Sequence, residues 1–298
     1  MLKPKKLLIT GHSGMLGSEL ATYFNNLPEY EVFGLGRSKT NLLLNERQYI
    51  FNLENFKSEE LIGEKFDIII HTAALTDISI CESNRDLADK LNIYATVEIS
   101  KLAKLNNAKL FYISTDSIFD GNKGNYDELA KPSPLNYYAF TKYAGELEVL
   151  KFNSPNSHIV RTNIYGFNQP LRNTIVEWAI KEWSNNKQIS GFDDIYFNAL
   201  YTGQLAEILK NIIEFNLQEK ILNIGSSEFI SKYDFLNKLR LKLGYDDKLL
   251  MRSKSSIFIS NIKRPLDTTL NLSKLEQIIE APTFDDGINK LANKLRKI

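Results

Sequence analysis

Tyr138 and Lys142 stand four residues apart at the start of a stretch whose apolar residues recur at helical spacing. On a helix that interval brings both side chains to one face. A phenol has a pKa of about 10 in water, so giving up a proton and regaining it near neutrality requires a neighbour that favours the deprotonated form. The ammonium of Lys142 supplies such a field. Upstream, the apolar run ending Ile113-Ser114-Thr115 puts a hydroxyl at a candidate strand end, where Thr115 can bond a substrate oxygen as charge develops on it. Nearer the amino terminus, Thr10-Gly11-His12-Ser13-Gly14-Met15-Leu16-Gly17 follows one apolar run and opens a helical pattern. Glycines there let the backbone turn sharply and approach a pyrophosphate, and the helix start presents unpaired N–H groups to it.

Each signal has a plainer reading. A tyrosine and a lysine at this spacing occur by chance as a packed ring and a solvated charge, and three glycines can make a tight turn with no ligand. The order favours the joint reading: glycine turn after the first strand, Ser-Thr at a later strand end, then Y-x-x-x-K opening the next helix. The corner Gly34-Leu35-Gly36-Arg37-Ser38 lacks the acid that normally meets an adenosine ribose. Arg37 there matches a 2′-phosphate and favours NADP(H), with NAD(H) as second choice. A solvated surface arginine is the competing reading.

These residues need a scaffold, and the hydrophobic pattern describes one. Short apolar or β-branched runs at 6–10, 31–35, 49–52, 67–71, 109–114 and 157–161 show too little alternation to be half exposed. Between them, 13–24, 86–105 and 138–152 have helical periodicity. The expected fold class is α/β: a Rossmann-type doubly wound parallel sheet with a smaller C-terminal substrate-binding lobe. The pattern loosens after Arg161, with a loop at 165–172, helices at 173–183, 201–215 and 231–243, and a strand at 221–224. Residues 1–162 then form the cofactor-binding domain, 163–298 the lobe, and 199–225 returns to the first unit.

Composition excludes several classes. Lys and Arg number 37 against 36 Asp and Glu, so no large field draws nucleic acid or an anionic membrane. Cys81 is the single cysteine, so no intrachain disulfide forms, and a reducing cytoplasm fits. No apolar run approaches the roughly 20 residues that span a bilayer, and the apolar stretch after Lys6 is too short for a signal peptide. His12, His71 and His158 are not at metal-site spacing, so no metal is expected. Ser13 lies in no G-x-S-x-G elbow. Trp178 and Trp183 share an apolar helical face, read first as lobe core and second as a substrate mouth. Arg264 lies with Pro265 in an expected extended segment after 257–259, where it can clamp a diphosphate or form a surface salt bridge.

Taken with Ile9 to Leu20, His71-Thr72-Ala73-Ala74-Leu75-Thr76-Asp77, Cys81-Glu82, Leu91-Asn92, Ser114 to Gly121, Tyr126 with Glu128, and Gly145-Glu146, the chain resembles the extended short-chain dehydrogenases/reductases. Within them it is similar to the dTDP-4-dehydrorhamnose reductase family. The resemblance implies that Thr115, Tyr138 and Lys142 are catalytic. It implies a cofactor site of Gly11, Ser13, Gly14, Met15, Leu16, Gly17, Arg37, Asn52, Leu53, Ala73, Ala74 and Leu75, with Tyr138, Lys142 and Asn92, the last buttressing the lysine through water. Substrate would meet Thr76, Asp77, Thr115, Asp116, Phe119 and Arg264. The sequence departs from the family pattern at Ala139, Ser117 and Asn52. Glu19 matches a position that some relatives use in a metal-bridged dimer contact, and no partner for it is evident. The implied activity is reduction of a nucleotide-linked 4-keto-6-deoxysugar, by a monomer or homodimer. An epimerase or dehydratase of the superfamily, or a non-catalytic cofactor-binding subunit of a methionine adenosyltransferase, is the alternative.

Overall fold

The structure, a computed structural model, describes residues 3–152, 155–168, 171, 173–215, 217–257 and 261–296. The first half runs β1 (Lys5–Thr10), α1 (Met15–Asn25), β2 (Tyr30–Gly36), β3 (Gln48–Ile50), β4 (Ile68–His71), α2 (Ile78–Ser83), α3 (Arg85–Asp89), a π turn (Lys90–Tyr94), α4 (Ala95–Asn106), β5 (Lys109–Thr115), α5 (Tyr137–Lys151) and β6 (Ser157–Thr162). The second half runs β7 (Ile164–Tyr165), α6 (Ile175–Ser184), β8 (Ile189–Phe192), β9 (Tyr196–Phe197), β10 (Leu200–Tyr201), α7 (Thr202–Glu214), β11 (Ile221–Ile224), β12 (Ile230–Ser231), α8 (Lys232–Leu243), β13 (Leu250–Ser253) and α9 (Phe284–Leu295).

Among the described residues seven strands form one parallel sheet in the order β11-β6-β5-β4-β1-β2-β3. This is the doubly wound fold the pattern predicts, and its strand order reverses between β1 and β4. The strands are apolar on both faces because both are covered. Leu7, Ile9, Ile68, Ile70, Phe111 and Ile113 face a core with α1 and α7, while Leu8, Ile69, Leu110 and Tyr112 face a second with α4. Residues one apart thus enter opposite layers. A third core, with Tyr165, Trp183, Phe197, Phe235 and Phe284, lies outside the sheet.

Three expectations change. The helix expected at 86–105 is broken by the π turn, which widens the coil around Asn92. α9 was not anticipated, although Thr283 caps it and Phe284, Ile288, Leu291 and Ala292 form its buried stripe. The extended segment expected after 257–259 is preceded by a 3₁₀ turn at Ser255–Ile257, with Phe258 and Ile259 outside the described residues. Of the expected loop at 165–172, Gln169, Pro170 and Arg172 also lie outside them.

α5 is fixed to the sheet by buried charge. The Glu146 carboxylate accepts from Arg161 Nη2 at 2.8 Å and Nε at 3.1 Å, and from Ser114 Oγ at 2.6 Å. These two charged side chains are 1% and 3% exposed. Removing one partner leaves the other charge buried and uncompensated, so Glu146→Ala is expected to cost about 3–5 kcal/mol in urea unfolding. Lys151→Ala, which breaks an exposed pair with Glu148, costs less than about 1 kcal/mol in the same assay.

Candidate active site

The carboxyl ends of β1, β4 and β5 lie side by side, with Thr10 in register with His71 and His71 with Tyr112. His71 Nδ1 meets Thr10 Oγ1 at 2.7 Å and its Nε2 meets Thr96 Oγ1 at 3.1 Å. Because the Thr96 hydroxyl donates to the Asn92 carbonyl at 2.8 Å, Nε2 is the histidine donor and Nδ1 accepts from Thr10. Burial, with the charge of Lys142, lowers the His71 pKa to about 3, so it is neutral. The ring joins two strand ends, and Thr10 Oγ1 receives the Ala73 N–H at 3.2 Å.

The glycine turn follows β1. Gly11 has φ +69, and a Cβ there would meet Ala73 main chain at 3.0 Å. A Cβ on Gly17 would lie 2.1 Å from the Gly11 carbonyl oxygen, so only glycine allows α1 to start this close to the strand. Gly14 caps α1 without a side-chain bond, which leaves the first-turn N–H groups to an external acceptor. Leu16 is in the core and can offer a ligand only main chain, while Ser13 and Met15 are half-buried. Arg37 is exposed just past β2. Leu53 is buried in the second core, and Asn52 Oδ1 accepts the Glu54 N–H at 3.2 Å, so that corner is shaped by an Asx turn.

Beyond β4, Ala73, Ala74 and Leu75 are half-buried, with Thr76 and Asp77 exposed. Asp77 caps α2 by accepting from Ile80 N–H at 2.9 Å. Asn92 takes the Leu75 N–H at 2.7 Å, returns an N–H to the Leu75 carbonyl at 3.0 Å, and donates to Thr141 Oγ1 at 2.9 Å. The amide thus clamps the loop after β4 to α5.

Tyr138 and Lys142 occupy the first turns of α5, which Asn136 caps by accepting from Ala139 N–H at 3.0 Å. Thr115, ending β5, has its hydroxyl beside the Tyr138 phenol, where it lowers a pKa that burial pushes up to about 12. The Lys142 ammonium turns toward the sheet, donating to the Ile113 carbonyl at 2.8 Å and lying 4.2 Å from the Tyr112 ring centroid. Burial pulls its pKa down to about 7, against the opposing charge of Glu146. Besides burial, the Thr115 hydroxyl lowers the phenol pKa, while Asp116 and Cys81 raise it.

Two expected substrate contacts are corrected. Asp116 is 1% exposed, and its carboxylate accepts from Asn163 Nδ2 at 2.7 Å, Thr115 Oγ1 at 3.2 Å and the hydroxyls of Ser117 and Thr268. Phe119 is fully buried and stacks on Tyr126 at 4.2 Å. Both are internal because a strap at 263–271 covers them. It accepts from Asn136 at the Lys263 carbonyl, donates from Asp267 N–H to Gly121, and pairs Leu270 with Tyr126. The extended segment expected at Arg264-Pro265 falls on this strap, while its contacts with Asn136, Gly121 and Tyr126, over 100 residues away, were not legible.

Arg264, on the strap, is exposed and lines a cleft of about 860 Å³ that Trp178 and Lys232 also line. The tryptophans separate: Trp183 is core, while Trp178 is 36% exposed. Glu19 has internal partners, Lys294 Nζ and the Tyr201 hydroxyl.

A family model described as the RmlD substrate binding domain matches residues 5–297. The dTDP-4-dehydrorhamnose reductase of Aggregatibacter actinomycetemcomitans is 27% identical over 289 residues, 91% of this chain and 92% of that protein. Methionine adenosyltransferase 2 subunit beta of Danio rerio is 24% identical over 297 residues, 95% of this chain and 89% of that one. The crystal structure of dTDP-4-dehydrorhamnose reductase from Bacillus anthracis in complex with NADP superimposes with a TM-score of 0.84 at 25% identity, covering 98% of this chain and all of that one.

The burial of Lys142 has a pH signature. Folded, it is neutral above about pH 7, whereas the unfolded chain stays protonated up to its ordinary value of 10.5. Between those values the unfolded state binds more protons, so stability rises with pH, and below about 7 the full cost of the buried ammonium is present. Relative to Lys142→Met, wild-type unfolding free energy is expected to grow by about 2 kcal/mol from pH 7 to 9 in urea titrations. A difference that stays constant would show the ammonium to be solvated.

Proposed function

Because the chain belongs to the RmlD substrate-binding domain family, whose model spans residues 5–297, we propose that it is an NADP(H)-dependent reductase of a nucleotide-linked 4-keto-6-deoxysugar. The observation that carries this reading is the Thr115 hydroxyl at a strand end beside the Tyr138 phenol at a helix start, near enough to favour the deprotonated phenol, with Lys142 one turn further on. Thr115 and Tyr138 converge as a pair of oxygens able to hold a carbonyl oxygen. A nucleotide sugar and a nicotinamide-dependent biosynthetic step fit the cytoplasm.

The residues fit the cofactor. The space that a Cβ on Gly17 would take, and the uncapped start of α1, support pyrophosphate binding by Gly11, Ser13, Gly14, Met15, Leu16 and Gly17. Exposed Arg37 is available to a 2′-phosphate, and Ala73, Ala74 and Leu75 form a wall that Asn92 holds. When bound, the nicotinamide supplies the hydride. On this reading 1–162 with 199–225 binds cofactor and the rest of 163–298 binds substrate.

This chain's part is to bind the ketone oxygen and deliver a proton. With a pKa raised to about 12, Tyr138 stays protonated at neutrality and is the acid. The Thr115 hydroxyl, which donates to Asp116 in this state, would turn its proton to the oxygen that becomes an alkoxide. Lys142, beside the phenol's helix turn, restores charge balance after the proton leaves.

Screening nucleotide keto-sugars while following NADPH absorbance should find a substrate that consumes one NADPH per product. Tyr138→Phe is expected to reduce kcat by about 10²–10⁴-fold with NADPH affinity unchanged. Turnover without net NADPH consumption, or an unaffected Tyr138→Phe, would sink the reading. Arg37→Asp should lower the ratio of NADPH to NADH affinity at least tenfold in fluorescence titrations, and an unchanged ratio would remove Arg37 from the cofactor site.

A further inference from the structure

The two carboxylate oxygens of buried Asp116 are unequally engaged. Oδ2 accepts from Asn163 Nδ2 at 2.7 Å and, over a shorter bond still, from the Thr268 hydroxyl. Oδ1 accepts the hydroxyls of Thr115 and Ser117, each at 3.2 Å. A hydroxyl bonded to a carboxylate ordinarily lies about 2.5–2.7 Å from it, so Asp116 holds Thr268 tightly and Thr115 slackly. Thr115 Oγ1 also accepts the Ser117 N–H at 3.2 Å. That bond keeps the oxygen in place while its proton turns about the Cβ–Oγ bond.

Thr268 is carried to Asp116 by the main chain of the strap. Its N–H donates to the Tyr196 carbonyl at 3.2 Å, and the Asp267 N–H donates to the Gly121 carbonyl at 3.1 Å. Gly121, at φ +75, leaves room for this approach, since a Cβ there would lie 2.5 Å from Pro265 Cβ. Thr268 is 6% exposed and 152 residues from Asp116 in sequence. Its hydroxyl therefore meets the carboxylate because the strap is seated, and the seat does not depend on that hydroxyl.

For Thr115 to serve a ketone oxygen, its proton must leave Asp116, and a buried carboxylate resists losing a donor. Donors at Oδ2 draw the negative charge to that side and stabilise it there. Less of it is then left at Oδ1 to retain Thr115.

We propose that Thr268 is a positioning residue for the reduction: by donating to Asp116 Oδ2 it loosens the hold of Asp116 on the Thr115 hydroxyl, which is then released to the ketone oxygen. This rests on the reading of the chain as a keto-sugar reductase and adds to it a residue of the C-terminal lobe that acts on Thr115 through Asp116.

Steady-state kinetics with NADPH and a turned-over nucleotide keto-sugar test it. Thr268→Val and Thr268→Ala both remove the donor. Each is expected to lower kcat about 10-fold, with KM and NADPH affinity within about threefold of wild type. Thr268→Ser restores the hydroxyl and should recover most of the loss. In a Thr115→Val background no proton is left to release, so adding Thr268→Val should change kcat less than about twofold. An unchanged kcat in both donor-free variants overturns the proposal. So does a loss that Thr268→Ser fails to recover, or one that persists undiminished beside Thr115→Val, which would show a structural role. Each of these results leaves the reductase standing, because wild type still turns over. A wild type that consumes no NADPH with any nucleotide keto-sugar removes the reductase and the proposal together.

Discussion

An ammonium taken out of water costs several kcal/mol unless acceptors and opposite charge surround it, and the placement of Lys142 organises the middle of this molecule around that requirement. Its proton goes to the Ile113 carbonyl, its charge lies over the Tyr112 ring, and Glu146 follows one helical turn later. Glu146 is itself buried and held by Arg161 from the neighbouring strand and Ser114 from β5. Tyr138, Lys142 and Glu146 recur every four residues and form one stripe on α5. Whatever fixes the last two against β5 and β6 also fixes the first, and so the Tyr138 phenol arrives at the end of β5 beside Thr115. Ion pairing deep in α5 thus sets the geometry of a hydroxyl pair at its open end.

The remaining parts are brought to the same edge by the sheet. In a parallel sheet every carboxyl end points one way, and the loops after β1, β4 and β5 converge where the strand order reverses. The Thr10–His71–Thr96 relay holds the first two ends in register with neutral groups, so it adds no charge near Lys142. Asn92, in the π turn, ties the loop after β4 to Thr141 on α5. The strap at 263–271 closes the arrangement from the other lobe, bonding the loop after β5 and the cap of α5 together.

The sheet was legible because burial on both faces leaves continuous runs such as Leu7-Leu8-Ile9 and Ile68-Ile69-Ile70, and the glycine turn because Gly17 has a steric reason to be glycine. The spacing of Tyr138 and Lys142 was legible as a shared helix face. What each did there was not. A side-chain interval says nothing of the Ile113 carbonyl that diverts the ammonium, since that acceptor is set by tertiary packing. For the same reason Asp116 and Phe119 resembled pocket residues but are covered by Thr268 and Tyr126. Two-residue strands such as β9 and β12 have no periodicity to detect, whereas the cap and apolar stripe of α9 were present in the sequence from Thr283 to Ala292.

The ionisation of the two α5 groups gives the site a direction. A phenol with a pKa of about 12 is deprotonated in roughly one molecule in 10⁵ at pH 7, so in this state it is a poor base and a ready acid. Burial brings the Lys142 pKa down to about 7, toward the range where a lysine can take or release a proton. A proton leaving Tyr138 creates an anion in a partly buried place, and that anion favours the charged form of Lys142 one turn away, raising the lysine pKa at that moment. The pair therefore resists losing the proton before a strong acceptor is present and compensates the charge once it has gone. An oxygen gaining hydride-derived charge is such an acceptor, and an alcohol awaiting oxidation is not. On the proposed reading, the same burial that organises α5 thus keeps the phenol protonated for the reductive step.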